Sequence, residues 1–176
     1  MNRPTGRPAA PPPGPARSEA TRADASGKRA LRINLLCGFL LGMGVVAFVD
    51  EAVFHQILHW HHFYDRGTSA AGLVSDGVFH AFSWFATVAS LLVLARLRAE
   101  GSLRPRWVTG GLLVGAGLFQ LYDGLVHHKL LGLHEIRYGV DLTPYDLLWN
   151  GVAVLLLVAG VVLVARSRAA ADHPPR

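Results

Sequence analysis

The sequence is poor in charge. Asp, Glu, Lys and Arg make up only 16% of its 176 residues, against 51% hydrophobic residues. That is too little charge to cover a soluble domain of this length, so a bilayer is the expected solvent. Cysteine is nearly missing: the lone Cys37 excludes an intrachain disulfide and says little about redox compartment. Sulfur is equally scarce in methionine. Met1 and Met43 lie on or toward the expected cytoplasmic side, which argues against a soft Cu(I) site at the outer face. The chain also carries no nucleophile elbow and no HExxH pair, so hydrolysis by either of those devices has no support.

What is present is length of apolar chain. Stretches at about 31–60, 77–97, 107–133 and 145–165 each reach the roughly 20 residues a helix needs to cross the hydrocarbon core. The expected fold is an all-α membrane protein of four transmembrane helices, with a transmembrane domain at 30–167. Residues 1–29, rich in Pro, Ala, Gly, Ser and Arg, read as a disordered cytoplasmic tail, and 168–176 as a second. The first of these has no apolar centre, so it does not read as a signal peptide.

Lys and Arg resist translocation, so their distribution sets orientation. Seven lie in the N-terminal tail and first span entrance, four in the middle loop and three near the C-terminus, against three in the two remaining connections. Both termini and the middle loop are expected to be cytoplasmic. The net charge of +5 sits beside the spans without aromatic interleaving, so it implies topology rather than nucleic acid. The expected partners are the lipid bilayer and, as an open case, other membrane proteins.

Sliding the chain by 73 positions lays the first span on the third, and nine of the 24 positions from 38 to 61 are identical. Gly38, Gly42, Gly44, Asp50, His55 and His61 match Gly111, Gly115, Gly117, Asp123, His128 and His134. Apolar composition does not produce two histidines and an aspartate at fixed spacing. A shift of 70 lays Asp76 on Asp146 and His80 on Asn150. The reading is two tandem helix-pair repeats about a pseudo-twofold axis along the membrane normal. The matched glycines then serve close helix approach in lipid.

Eight of the nine histidines, all but His173, fall at or beyond the outer half of the spans. Ionisable groups at such depth need a partner, water or a ligand. The candidate metal ligands are His55, His59, His80, His127, His128 and His134, with Asp50, Asp76, Asp123, Asp146, His61 and Asn150 as orienting groups or alternative ligands. His55 and His59 have the i, i+4 spacing that clamps one ion. On a continuous helix His61 lies about 16 Å along the axis from Asp50, so the two share an ion only if the chain turns between them. Other readings stand beside these. Asp146, within Thr143-Pro144-Tyr145-Asp146, and Asp76, beside Ser75, have the pattern of helix caps. His59, His61 and His62 fit an interfacial belt with Trp60, Phe63 and Tyr64. Glu51 faces away from most of these groups, toward the headgroups.

The strings FVDEAVFHQILHWHH, SDGVFHAFSW, LYDGLVHHKLLGLHEIRYGVD and PYDLLWN resemble the bacterial membrane-protein family known as domain of unknown function 2243, over roughly residues 35–165. The resemblance implies a multi-span bacterial membrane protein and brings no reaction, cofactor or catalytic residue with it. Glu51 stands where the family pattern and the second copy, at Gly124, have glycine. The leading functional expectation is a transition-metal centre, of Zn, Cu or Fe, since imidazole with oxygen suits these ions. A variant has His55 and His128 holding a b-type haem across the axis. The alternatives are a metal-assisted membrane hydrolase acting on a lipid-like substrate and a proton-relay element.

Overall fold

The computed structural model describes residues 15–172, and these are helical with no strand among them. Helix α1 runs Pro15–Asp50 and passes directly into a π-helical segment, Glu51–Ile57. Helix α2 covers Ser69–Ala99 and α3 covers Pro105–Tyr122, which continues as a second π-helical segment, Asp123–Leu130. Helix α4 spans Thr143–Asp172.

The tail expected at 1–29 falls partly outside the described residues. From Pro15 onward the chain is already helical. A proline at the first helical position and the alanines behind it favour that start.

Local chemistry sets the other ends. The Thr68 hydroxyl accepts from the Ala71 amide at 3.3 Å and caps α2. At its far end Gly101, with φ +63°, lets the amides of Gly101 and Ser102 reach back to the carbonyls of Arg98 and Leu97, the bond pair of a Schellman stop. Asn34, fully buried on α1, accepts from the Arg104 amide at 2.6 Å and donates to Ser102 O at 3.1 Å. It ties α1 to the α2–α3 loop.

α1 and α3 form the centre, α2 flanks α1 and α4 flanks α3, and among the described residues α2 does not touch α4. The central crossing is made by glycine. A Cβ on Gly38 or Gly42 would strike the backbone of Val108 or Leu112, and one on Gly111 or Gly115 would strike that of Leu35 or Phe39. Each of these contacts repeats at an offset of 73. Gly44 lies on Thr87 of α2 just as Gly117 lies on Leu157 of α4, the second pair offset by 70. Small residues thus bring backbones together where apolar side chains, already solvated by lipid, supply little attraction.

The outward faces are apolar, with Leu73, Val78, Phe85 and Leu92 of α2 and Leu147 and Leu155 of α4 exposed. Ser83 and Ser90 point inward, as do Asp50, Glu51, Asp76 and Asp123. This apolar-out, polar-in distribution is that of an integral membrane protein. Among the described residues three helices are long and apolar enough to cross a membrane: Ala25–Ile57, Ser69–Ala99 and Thr143–Ala170. The fourth expected span falls on α3 and its π segment. Held between α1 and α4, α3 itself is only 18 residues long, opens with Pro105 and Arg106 and carries Gln120, so it does not stand out on length and apolarity.

Candidate metal centre

The C-terminal ends of α1 and α3 carry the polar groups, and the two π segments decide where they point. A π segment bonds i to i+5 rather than i to i+4, which turns the residues after Asp50 and Asp123 away from an ideal wheel. Each segment then stops in the same way. The Leu58 and Trp60 amides return to Val53 O and Phe54 O, and the Leu131 and Leu133 amides return to Val126 O and His127 O. A left-handed residue follows in both, His59 at φ +50° and Gly132 at φ +54°. The chain therefore doubles back, and His61 and His134 return over the ends of their own helices.

This resolves the distance between Asp50 and His61. The chain does turn between them, and Asp50, His55 and His61 offer ligand atoms all within 4.8 Å of one another. Asp123, His128 and His134 do the same. A third buried group, Glu51, His55 and Asp76, shares His55 with the first.

The two halves meet at His61 and His134, whose rings stack 4.5 Å apart at 6°. Nδ1 of His61 lies 2.9 Å from Ile136 O, and Nδ1 of His134 lies 2.9 Å from Phe63 O, another pair at offset 73. A carbonyl only accepts, so each Nδ1 carries the proton and each Nε2 a lone pair. Both Nε2 atoms are buried and without a hydrogen-bond partner among the described residues. Burial, reinforced by the neighbouring imidazoles, holds His61 down to about 2. Burial likewise holds His134 down to about 4, against the pull of Asp123. Both rings are neutral at physiological pH and in the protonation state a metal requires.

Around this stack, His55 directs Nε2 toward Asp50 at 3.9 Å, while its Nδ1 lies 2.9 Å from Glu51 and 3.2 Å from Asp76. In the other half, His128 Nε2 lies 3.0 Å from Asp123 Oδ2, and His127 Nδ1 lies 2.8 Å from Asp123 Oδ1. An opening of about 440 Å³, lined by His59, His61, His62 and Asp65 among others, leads to His61 from the loops that follow the π segments. A second, apolar cleft of about 450 Å³ between α2 and α3 ends at His127.

Several residues sit elsewhere than expected. His59 is exposed on its turn and does not join His55 as a clamp, because the helix ends before reaching it. His80 is exposed, its ring 5.7 Å from that of Phe48. Asp76 is not a cap: α2 begins earlier, at Thr68, and the Asp76 carboxylate accepts from the Phe63 amide at 2.7 Å and pairs with His62 at 2.6 Å. Asp146 lies in the first turn of α4, but its carboxylate pairs with Lys129, and Asp141 accepts from the Thr143 amide instead. Asn150 donates to Asp146 O and leaves its own oxygen buried without a partner. Glu51, expected at the headgroups, is 1% exposed and accepts from Gln56 at 2.8 Å. A continuous wheel turns it outward; the π segment turns it in. His62 was likewise legible only as an interfacial residue, since nothing in its spacing announces Asp76 as partner.

The arrangement leaves no room for haem between His55 and His128. Successive ring centroids from His55 through His61 and His134 to His128 are 4.5, 4.5 and 4.7 Å apart, so two imidazoles already occupy the gap a porphyrin would need.

The chain belongs to the family described as predicted membrane protein (DUF2243), whose pattern matches residues 37–167. That range takes in both His/Asp groups, the whole of α2 and α3 and part of α1 and α4. No curated protein and no solved structure matches the chain.

Proposed function

We propose that this member of the family is a four-span protein of a bacterial cytoplasmic membrane, with both termini cytoplasmic, that binds a transition metal at its outer side. In this reading α3 and its π segment form the fourth span, and the chain is a duplicated helix pair about an axis along the membrane normal. The paired glycine contacts and the paired histidine-to-carbonyl bonds, both offset by 73, support the duplication. The excess of Lys and Arg in the tails and middle loop supports the orientation.

One observation carries the metal reading. Two buried imidazoles, His61 and His134, have Nδ1 fixed by a carbonyl and Nε2 without a partner, among carboxylates that are themselves buried. A buried acceptor without a donor costs roughly 1–3 kcal/mol, and a buried carboxylate without a counter-charge costs more. A cation among these atoms removes both penalties. Nitrogen and oxygen donors suit Zn, Cu(II) or Fe(II).

The test is elemental analysis of detergent-purified protein together with a His61→Ala/His134→Ala variant. Stoichiometric metal in the parent and its loss in the variant is the expected result. A full metal complement in a correctly eluting double variant refutes the assignment.

A further inference from the structure

We infer that the centre holds two divalent ions in unequal sites: a tight one at Asp50, His55 and His61, and an exchangeable one at Asp123, His128 and His134. This rests on the metal-binding reading and goes beyond it in number and in rank.

Two ions follow first from the donors. Each half supplies three of its own, one carboxylate and two imidazoles, all buried. His61 and His134 stand back to back in a stack, each anchored to the opposite half through Nδ1. Each Nε2 is therefore free to serve a separate ion.

Charge gives the second argument. Asp50, Glu51, Asp76 and Asp123 are all 3% exposed or less. Their ion pairs among the described residues are with histidine alone, and no Lys or Arg neutralises them. Four carboxylates in a lipid-embedded bundle require compensation. One divalent ion offsets two of them, and two ions offset all four.

The inequality comes from the groups behind the ligands. His55 Nδ1 has Glu51 at 2.9 Å and Asp76 at 3.2 Å, the carboxylate backing that orients a ligating imidazole and raises its basicity. His128 has no carboxylate beside its Nδ1 among the described residues: its ion pair runs through Nε2, to Asp123 at 3.0 Å. The position matching Glu51 is Gly124, against Asn150 and Trp149, and the residue matching Asp76 is Asp146, drawn away to Lys129. Asp123 is moreover already engaged by His127 and His128, at 2.8 and 3.0 Å. An ion entering the second half must displace the His128 contact, whereas Asp50 lies 3.9 Å from His55 and has no such contact to give up. Loss of a backing partner costs about 10–100-fold in metal affinity, which sets the expected separation of the two sites.

The test is a titration of chelator-stripped protein in detergent with Zn²⁺, in competition with a chromophoric chelator. Expected are two Zn²⁺ per chain with dissociation constants about 10–100-fold apart. His128→Ala should abolish the weak site and spare the tight one, while Glu51→Gln should weaken the tight site by about 10-fold or more and spare the weak one. Glu51→Gln keeps shape and the Gln56 contact, so it remains informative if alanine variants fail to fold. A single Zn²⁺ per chain, lost on replacing either His55 or His128, overturns the two-ion inference and leaves the metal reading standing. Two equal sites overturn the ranking. No Zn²⁺ at all sinks both.

Discussion

If the bundle is closed by glycine at the α1–α3 crossing, a single side chain there should open it. A Cβ at Gly42 would land on the carbonyl of Leu112, and one at Gly115 on the carbonyl of Phe39. Neither obstacle is the end of a side chain that can rotate aside, so relief requires the helices to separate. Overpacking costs about 1–3 kcal/mol, and a branched residue against backbone belongs at the upper end, about 3 kcal/mol for Gly42→Val. At roughly 3 °C per kcal/mol for a chain of this size, the melting temperature should fall by about 9 °C. Gly77 and Gly151 provide the contrast. Both lie inside helices, and a Cβ on either meets nothing within 4 Å. Gly77→Ala and Gly151→Ala should therefore gain about 0.5–1 kcal/mol of helix propensity and raise Tm by about 2 °C. Loss of the monodisperse size-exclusion peak after heating in detergent reads all three variants. If Gly42→Val melts with the parent, or if Gly77→Ala falls as far as Gly42→Val, the crossing is not where the helices are held together.

Two further outcomes follow from the histidine-bearing end. His61 and His134 are held below the ordinary 6.5, to about 2 and about 4, so between those values and about 6.5 the unfolded chain binds protons that the folded chain refuses. Metal-free protein should accordingly lose stability as pH falls below about 6.5, by about 2 kcal/mol per ring between pH 7.5 and pH 5. His61→Asn should flatten that profile by one ring's share, and an unchanged slope would count against the buried neutral ring. For orientation, Cys37 is 5% exposed and should stay silent to an impermeant maleimide. His59→Cys should then label from outside intact cells and Gly101→Cys only after permeabilisation; the reverse pattern would invert the topology.

The fold was legible where membrane physics leaves few choices. Long apolar runs predict the helices, and the glycines at matched positions predict the α1–α3 contact, because in lipid only small residues let backbones approach. The triads were legible as a pattern, Asp50, His55 and His61 against Asp123, His128 and His134, but not as an assembly. A wheel with a constant 100° step places Asp50 and His61 about 16 Å apart and turns Glu51 outward. The first fails because the helix ends at Ile57 and the chain turns back through His59; the second fails because the π segment, whose position the apolar pattern does not encode, changes the hydrogen-bond register. The capping reading of Asp76 failed differently. An aspartate near a helix start caps only if the helix starts there, and Thr68 had already started it.

The pattern of agreement and divergence between the two matched halves has a physical order. Near the α1–α3 contact each half meets the other, so a change on one side must be accommodated by both. Gly38 needs Val108 just as Gly111 needs Leu35, and His61 needs Ile136 O just as His134 needs Phe63 O. Farther out, toward α2 and α4, the halves still touch through aromatic rings, Phe79 on Phe119 and Phe54 on Trp149, but the ion pairs of Glu51 with His55 and of Asp146 with Lys129 each lie within one half and can change alone. There Glu51 faces His55 where Gly124 faces Asn150, and Asp76 serves His62 where Asp146 serves Lys129. A buried carboxylate gained on one side only, as at Glu51, costs several kcal/mol unless something nearby carries positive charge. That cost has been accepted in one half and not the other, which is intelligible if the halves hold ions of different tenacity and unintelligible if they are equivalent packing.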